Sequence, residues 1–102
     1  MKENPIPEEI LENAVMLCNE PFWHYVDALH VVGKLSTTSH AIVGVELFEQ
    51  VGDSPKWIAT SNYNHDKSVL WDEFVELCNT SAKEFIETNK EHEGALFNFS
   101  YE

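Results

Sequence analysis

The stretch Phe22-Trp23-His24-Tyr25-Val26-Asp27-Ala28-Leu29-His30-Val31-Val32-Gly33-Lys34-Leu35 decides how this chain folds, because two periodicities compete in it. At helical spacing Phe22, Tyr25, Val26, Leu29 and Val32 make an apolar face, and Pro21 and Gly33 stand where helix punctuation belongs. Against that, Phe22-Trp23-His24-Tyr25-Val26 and His30-Val31-Val32 are rich in aromatic and branched side chains that suit a pleated strand. The Ser36-Thr37-Thr38-Ser39 loop can turn such a strand back onto the next one, and the strand reading is preferred. It gives an α+β domain of order α-β-β-β-α-β, an antiparallel sheet of three to four strands with two helices packed on one face. With residues 21–33 helical instead, the order becomes α-α-β-β-α-β.

Downstream, Ala41-Ile42-Val43-Gly44-Val45-Glu46-Leu47-Phe48 reads as a strand with Ala41, Val43, Val45 and Leu47 on one face. Val51-Gly52-Asp53-Ser54-Pro55 reads as a hairpin turn, and Lys56 to Tyr63 as the returning strand. Near the C-terminus Ala95, Phe97, Phe99 and Tyr101 alternate with Leu96, Asn98 and Ser100, which predicts a last strand with an aromatic face. Upstream, Pro7 suits a first helical position and Glu8 and Glu9 complement the helix dipole. Ile10, Leu11, Ala14, Val15, Leu17 and Cys18 then recur at helical spacing, predicting a helix to about Asn19. A second helix, capped by Asn64, His65 or Asp66, carries Leu70, Trp71, Phe74, Leu77, Cys78, Ser81, Ala82, Phe85 and Ile86 along one stripe. It stops near Asn89 or Lys90.

The 102 residues, 43% of them hydrophobic, suit one domain with residues 1–5 as a loose tail. Six lysines, no arginine and 18 carboxylates give a formal charge of -12, which opposes gripping phosphates, so nucleic acid is not an expected partner. No apolar run approaches the roughly 20 residues of a membrane span, and no membrane partner is expected. Met1-Lys2-Glu3-Asn4-Pro5 lacks the cationic start and apolar run of a secretory signal, so a cytoplasmic location is expected. Cys18 and Cys78 sit at apolar helical positions and read as reduced, buried thiols. Asn79-Thr80-Ser81 and Asn98-Phe99-Ser100 fit the glycosylation pattern but carry no weight without secretion.

Candidates for chemistry are thin. On a strand His24 and His30 share a face while Asp27 points away, and on a helix the three diverge, so no metal site is expected there. Cys78 lies on the apolar face of a helix, where burial hides a thiol and raises its pKa. Carboxylate pairs such as Asp72-Glu73 and Glu46-Glu49 arise by chance among so many acids. Gly33, Gly44, Gly52 and Gly94 stand singly, so there is no phosphate loop, and no arginine is present to clamp an anion. Neither a cofactor nor an enzymatic activity is expected.

The surface of the second helix is more informative. Asp72, Glu73, Glu76, Glu84, Glu87 and Glu91 lie opposite its apolar stripe, interrupted by Lys83 and Lys90. Like charges three or four residues apart each cost a few tenths of a kcal/mol, and Glu91 also opposes the dipole. That surface is not optimised for stability alone. A solubilising coat is the plain explanation. The functional one is attraction of a basic protein, with Asp72, Glu73, Glu76, Glu84 and Glu87 as the partner-binding set and inhibition or immunity as the leading role. Two other classes compete with it. A small acidic chaperone-like dimer would need outward apolar patches, for which Trp23, Trp57 and Phe48 are candidates. A small ligand-binding domain or enzyme would use His24, Tyr25 and His30 to line a pocket.

Overall fold

The computed structural model describes residues 5–63 and 68–102. In chain order its elements are α1 (Glu8–Leu11), β1 (Val15–Leu17), β2 (Glu20–Phe22), α2 (Tyr25–Thr37), β3 (Ile42–Val51), β4 (Ser54–Asn62), α3 (Trp71–Thr88) and β5 (Leu96–Tyr101). β3 is the central strand of an antiparallel sheet of order β4-β3-β5, and β1 and β2 form a separate antiparallel hairpin. The α+β class read from the sequence holds. Val51 faces Ser54 across a two-residue turn whose Gly52 has φ 62°, the left-handed region that a tight hairpin turn demands.

The deciding stretch divides between its two readings. Phe22 ends β2, and Trp23 bridges to β5, exchanging backbone hydrogen bonds of 3.0 and 2.8 Å with Phe97. From Tyr25 to Thr37 the chain is helical, which corrects the strand reading of residues 22–35 in favour of the helical alternative. Packing decides the matter. Ala28, Val31, Val32 and Leu35 recur at helical spacing and are buried, in one cluster with Ala82 and Ile86 of α3 and Val45 and Leu47 of β3. A valine in a helix costs well under about 1 kcal/mol relative to alanine, whereas burying each Val or Leu contributes roughly 1.5–3 kcal/mol. The buried stripe is also turned from the face read in the sequence, for Val26 is exposed and Val31 and Leu35 point inward. Gly33 does not end the helix, which continues through it for another turn.

The helix expected to reach Asn19 ends at Leu11. Cys18 and Asn19 have φ of 52° and 64°, a pair of left-handed residues that no helix admits and that suits a two-residue hairpin. This turn folds β2 back on β1 and sets Leu17 and Phe22 against Leu96, with Phe48 meeting Phe22 edge-on at 5.1 Å. Phe48 and Leu96 alternate with the core-facing Leu47 and Phe97, so the hairpin covers the sheet face away from the helices. Cys18, at the tip, is exposed rather than buried as expected, and Cys78 is buried.

Helices α2 and α3 pack together on the other face, where the alternation of β5 places Phe97, Phe99 and Tyr101 as the sequence predicts. A register shift between Ile42 and Gly44 sends Ile42, not Val43, into that core. α3 buries Phe74, Val75, Cys78, Asn79, Ala82 and Ile86, whereas Leu70, Trp71 and Leu77, read as part of its stripe, are exposed. Helix α3 begins at Trp71 with Leu70 at its N-cap and no side-chain capping hydrogen bond, later than the Asn64, His65 or Asp66 cap read from the sequence. Those three residues, like residues 1–4 of the expected tail, lie outside the described residues.

Candidate functional site

Helix α3 carries Asp72, Glu73, Glu76, Glu84 and Glu87, and all five are exposed. At about 100° per residue they fall within an arc of roughly 120°, on the side away from the buried stripe. Among the described residues the carboxylates that meet a basic side chain are Glu49, beside Lys56 at 3.5 Å and His92 at 3.7 Å, and Asp27, beside His30 at 3.7 Å, so none of the five carboxylates of α3 is paired with another described side chain. Like charges stand a turn apart at Asp72/Glu76, Glu73/Glu76 and Glu84/Glu87. Asp72 and Glu73, in the first turn, gain from the helix dipole, whereas Glu87, in the last, opposes it.

Beside this face α2 and α3 border an open groove of about 640 Å³. Buried Val32 and Val75 form its floor with the half-buried Leu29, and exposed Asp72, Glu76 and Lys83 stand along its α3 rim. Asn79 ties the two helices at its base, donating from Nδ2 to Ser36 Oγ at 2.9 Å. Gly33 also lines the groove, and a Cβ built there would meet nothing within 4 Å. A glycine inside a helix costs about 0.5–1 kcal/mol relative to alanine, and packing does not require it at this position. A second, smaller hollow around Leu77, which is 44% exposed, shares Glu76 and Thr80 with the groove and is walled by Glu73 and Glu84. Sequence reasoning placed the five carboxylates on one face but missed the groove, because a groove exists only if α2 is a helix. The signal that would have shown it is the spacing of Ala28, Val31, Val32 and Leu35.

Other candidates from the sequence disperse or serve the core. Asp27 and His30 meet at 3.7 Å on α2, while the His24 ring lies 3.3 Å from the Ala95 carbonyl. Among the described residues no three metal-ligating side chains converge. Cys78 is buried with Ala41, Phe74 and Val75. Asn79 of the first glycosylation pattern is 4% exposed. Glu46 and Glu49 have separate partners, Thr60 for the former and Lys56 and His92 for the latter. Trp23 is buried at 1% exposure and donates its indole N–H to the Ile10 carbonyl, Phe48 is half-buried, and Trp57 is 57% exposed. Tyr63 donates to the Ser81 carbonyl of α3 at 3.2 Å, and burial pushes its hydroxyl above the ordinary tyrosine range against the opposing pull of the Ser61 side chain.

Comparisons of the chain with protein-family models, with curated proteins and with solved structures find no match. No described helix is long and apolar enough to cross a membrane.

Proposed function

We propose that this protein is a non-enzymatic binding module that neutralises a basic partner protein in the cytoplasm, as an inhibitor or immunity-type protein does, through the outer face of α3. The observation that carries this reading is the set Asp72, Glu73, Glu76, Glu84 and Glu87, exposed together on one helix and unpaired among the described residues. A helix packed on a sheet holds its charges at fixed spacing, so their fields add over the face and steer a cationic partner toward it. Lysines or arginines of that partner would relieve the repulsion between carboxylates one turn apart, making association stabilising on both sides.

Capture of cell proteins on the immobilised chain tests the reading at about 0.05 and 0.5 M salt, where screening lengths differ about threefold. The native chain should retain a discrete cationic protein that high salt releases and that the Glu73→Lys/Glu76→Lys/Glu84→Lys variant does not bind. Retention indifferent to salt and to charge reversal contradicts it, as does the absence of any cationic protein.

Exposure of Trp57 and Met16, at 57% and 59%, supports a second reading. Trp57 faces Phe48 across β3 and β4, close to the hairpin side of the sheet, and a chaperone-like homodimer or client segment would use that side. Loss of client binding in Trp57→Ser, with the α3 carboxylates intact, would favour it over the acidic face.

A further inference from the structure

We infer that the groove between α2 and α3 receives a cationic amphipathic helix of about three turns from the basic partner. This rests on the acidic-face reading and specifies its contact. The groove follows α2 from Leu29 to Ser36 and α3 from Asp72 to Lys83, spans of roughly 10 and 17 Å at about 1.5 Å per residue. A three-turn helix matches the longer of them. The floor of Leu29, Val32 and Val75 calls for an apolar side on the occupant. The rim carboxylates of Asp72 and Glu76, with Glu73 and Glu84 beyond them, call for cations along its flank. A uniformly charged chain would leave the apolar floor wet, and a uniformly apolar one would strip water from unpaired carboxylates. An amphipathic helix satisfies both.

Gly33 adds an independent argument. Its side of α2 faces open space, so the occupant's backbone can approach where any larger side chain would stand. Lys83, at one end of the rim, repels cations there and directs the occupant's basic residues toward Asp72 and Glu76.

The probe is a synthetic peptide of about fourteen residues built from leucine and lysine at helical spacing. Its controls are a scrambled peptide of the same composition and an oligolysine of the same charge. Binding to the full chain is followed by amide NMR shifts. The patterned peptide should bind at least about tenfold more tightly than either control and shift the amides of Leu29, Val32, Gly33 and Val75. Gly33→Leu, and equally the polar Gly33→Gln, should weaken the patterned peptide at least about tenfold and leave oligolysine unaffected. Equal binding of patterned and scrambled peptides overturns the inference, as does indifference of the patterned peptide to both Gly33 variants or its failure to bind. If oligolysine binds as tightly as the patterned peptide and Glu76→Lys abolishes both, the groove falls while the acidic face stands. If Glu73→Lys/Glu84→Lys leaves all binding unchanged, the acidic-face reading falls with it.

Discussion

The side-chain oxygen of Asn79 accepts the backbone N–H of Ile42 at 2.8 Å, joining the middle of α3 to the first residue of β3. The same amide donates to Ser36 Oγ at 2.9 Å and to the His40 carbonyl at 3.0 Å, so one buried side chain fixes α3, the end of α2 and the start of the central strand. Among the described residues no buried side-chain polar atom lacks a partner. Asn79→Ala would leave the Ile42 N–H unpaired in the core and should cost about 2–3 kcal/mol, measured by denaturant unfolding. A loss below about 0.5 kcal/mol would mean that water replaces the amide and that Asn79 does not set the floor of the groove.

The two thiols should differ sharply in reactivity. Cys18 sits at the exposed tip of the β1–β2 turn, and Cys78 is buried in one cluster with Ala41, Phe74 and Val75. A water-soluble thiol reagent should modify Cys18 rapidly in the native protein and reach Cys78 only through unfolding. Fast modification of both would show that α3 does not hold its place on the sheet.

At Gly33, alanine has room and suits a helix better. Gly33→Ala should raise stability by about 0.5–1 kcal/mol, seen as a higher denaturation midpoint with an unchanged slope. Destabilisation would show that the residue is not helical or that the groove is filled in the free protein.

Much of this fold was legible from particular residues. The alternation Phe97, Phe99, Tyr101 and the branched run before Phe48 show strands because one periodicity dominates each of them. Residues 25–37 misled because Val31 and Val32 carry a strand preference that burial against Ala82 and Ile86 overrides, and that burial depends on an element far along the chain. The turn at Cys18 and Asn19 had only Asn19 to announce it, and the helical spacing of Leu17 and Cys18 masked it. The acidic face was legible because it depends on the period of a single helix. The groove was not, because it arises from the relation of two.

Stability at alkaline pH should report on Tyr63. Its folded-state pKa lies above the unfolded value near 10, so above that pH the unfolded chain releases the proton first and the folded state loses stability as pH rises. Tyr63→Phe should remove this part of the alkaline slope while giving up the hydrogen bond to the Ser81 carbonyl. An identical slope in the variant would place the titration elsewhere.

The most direct test of the acidic face is kinetic. The association rate of the patterned leucine–lysine peptide with the full chain is measured by stopped flow as ionic strength rises from about 0.01 to 0.15 M and the Debye length falls from about 30 to 8 Å. Steering by Asp72, Glu73, Glu76, Glu84 and Glu87 predicts that association slows at least about tenfold while dissociation changes much less. It also predicts that Glu76→Lys/Glu84→Lys slows association comparably at low salt. An association rate unchanged by salt and by charge reversal would contradict the account and leave the carboxylates as a solubilising coat.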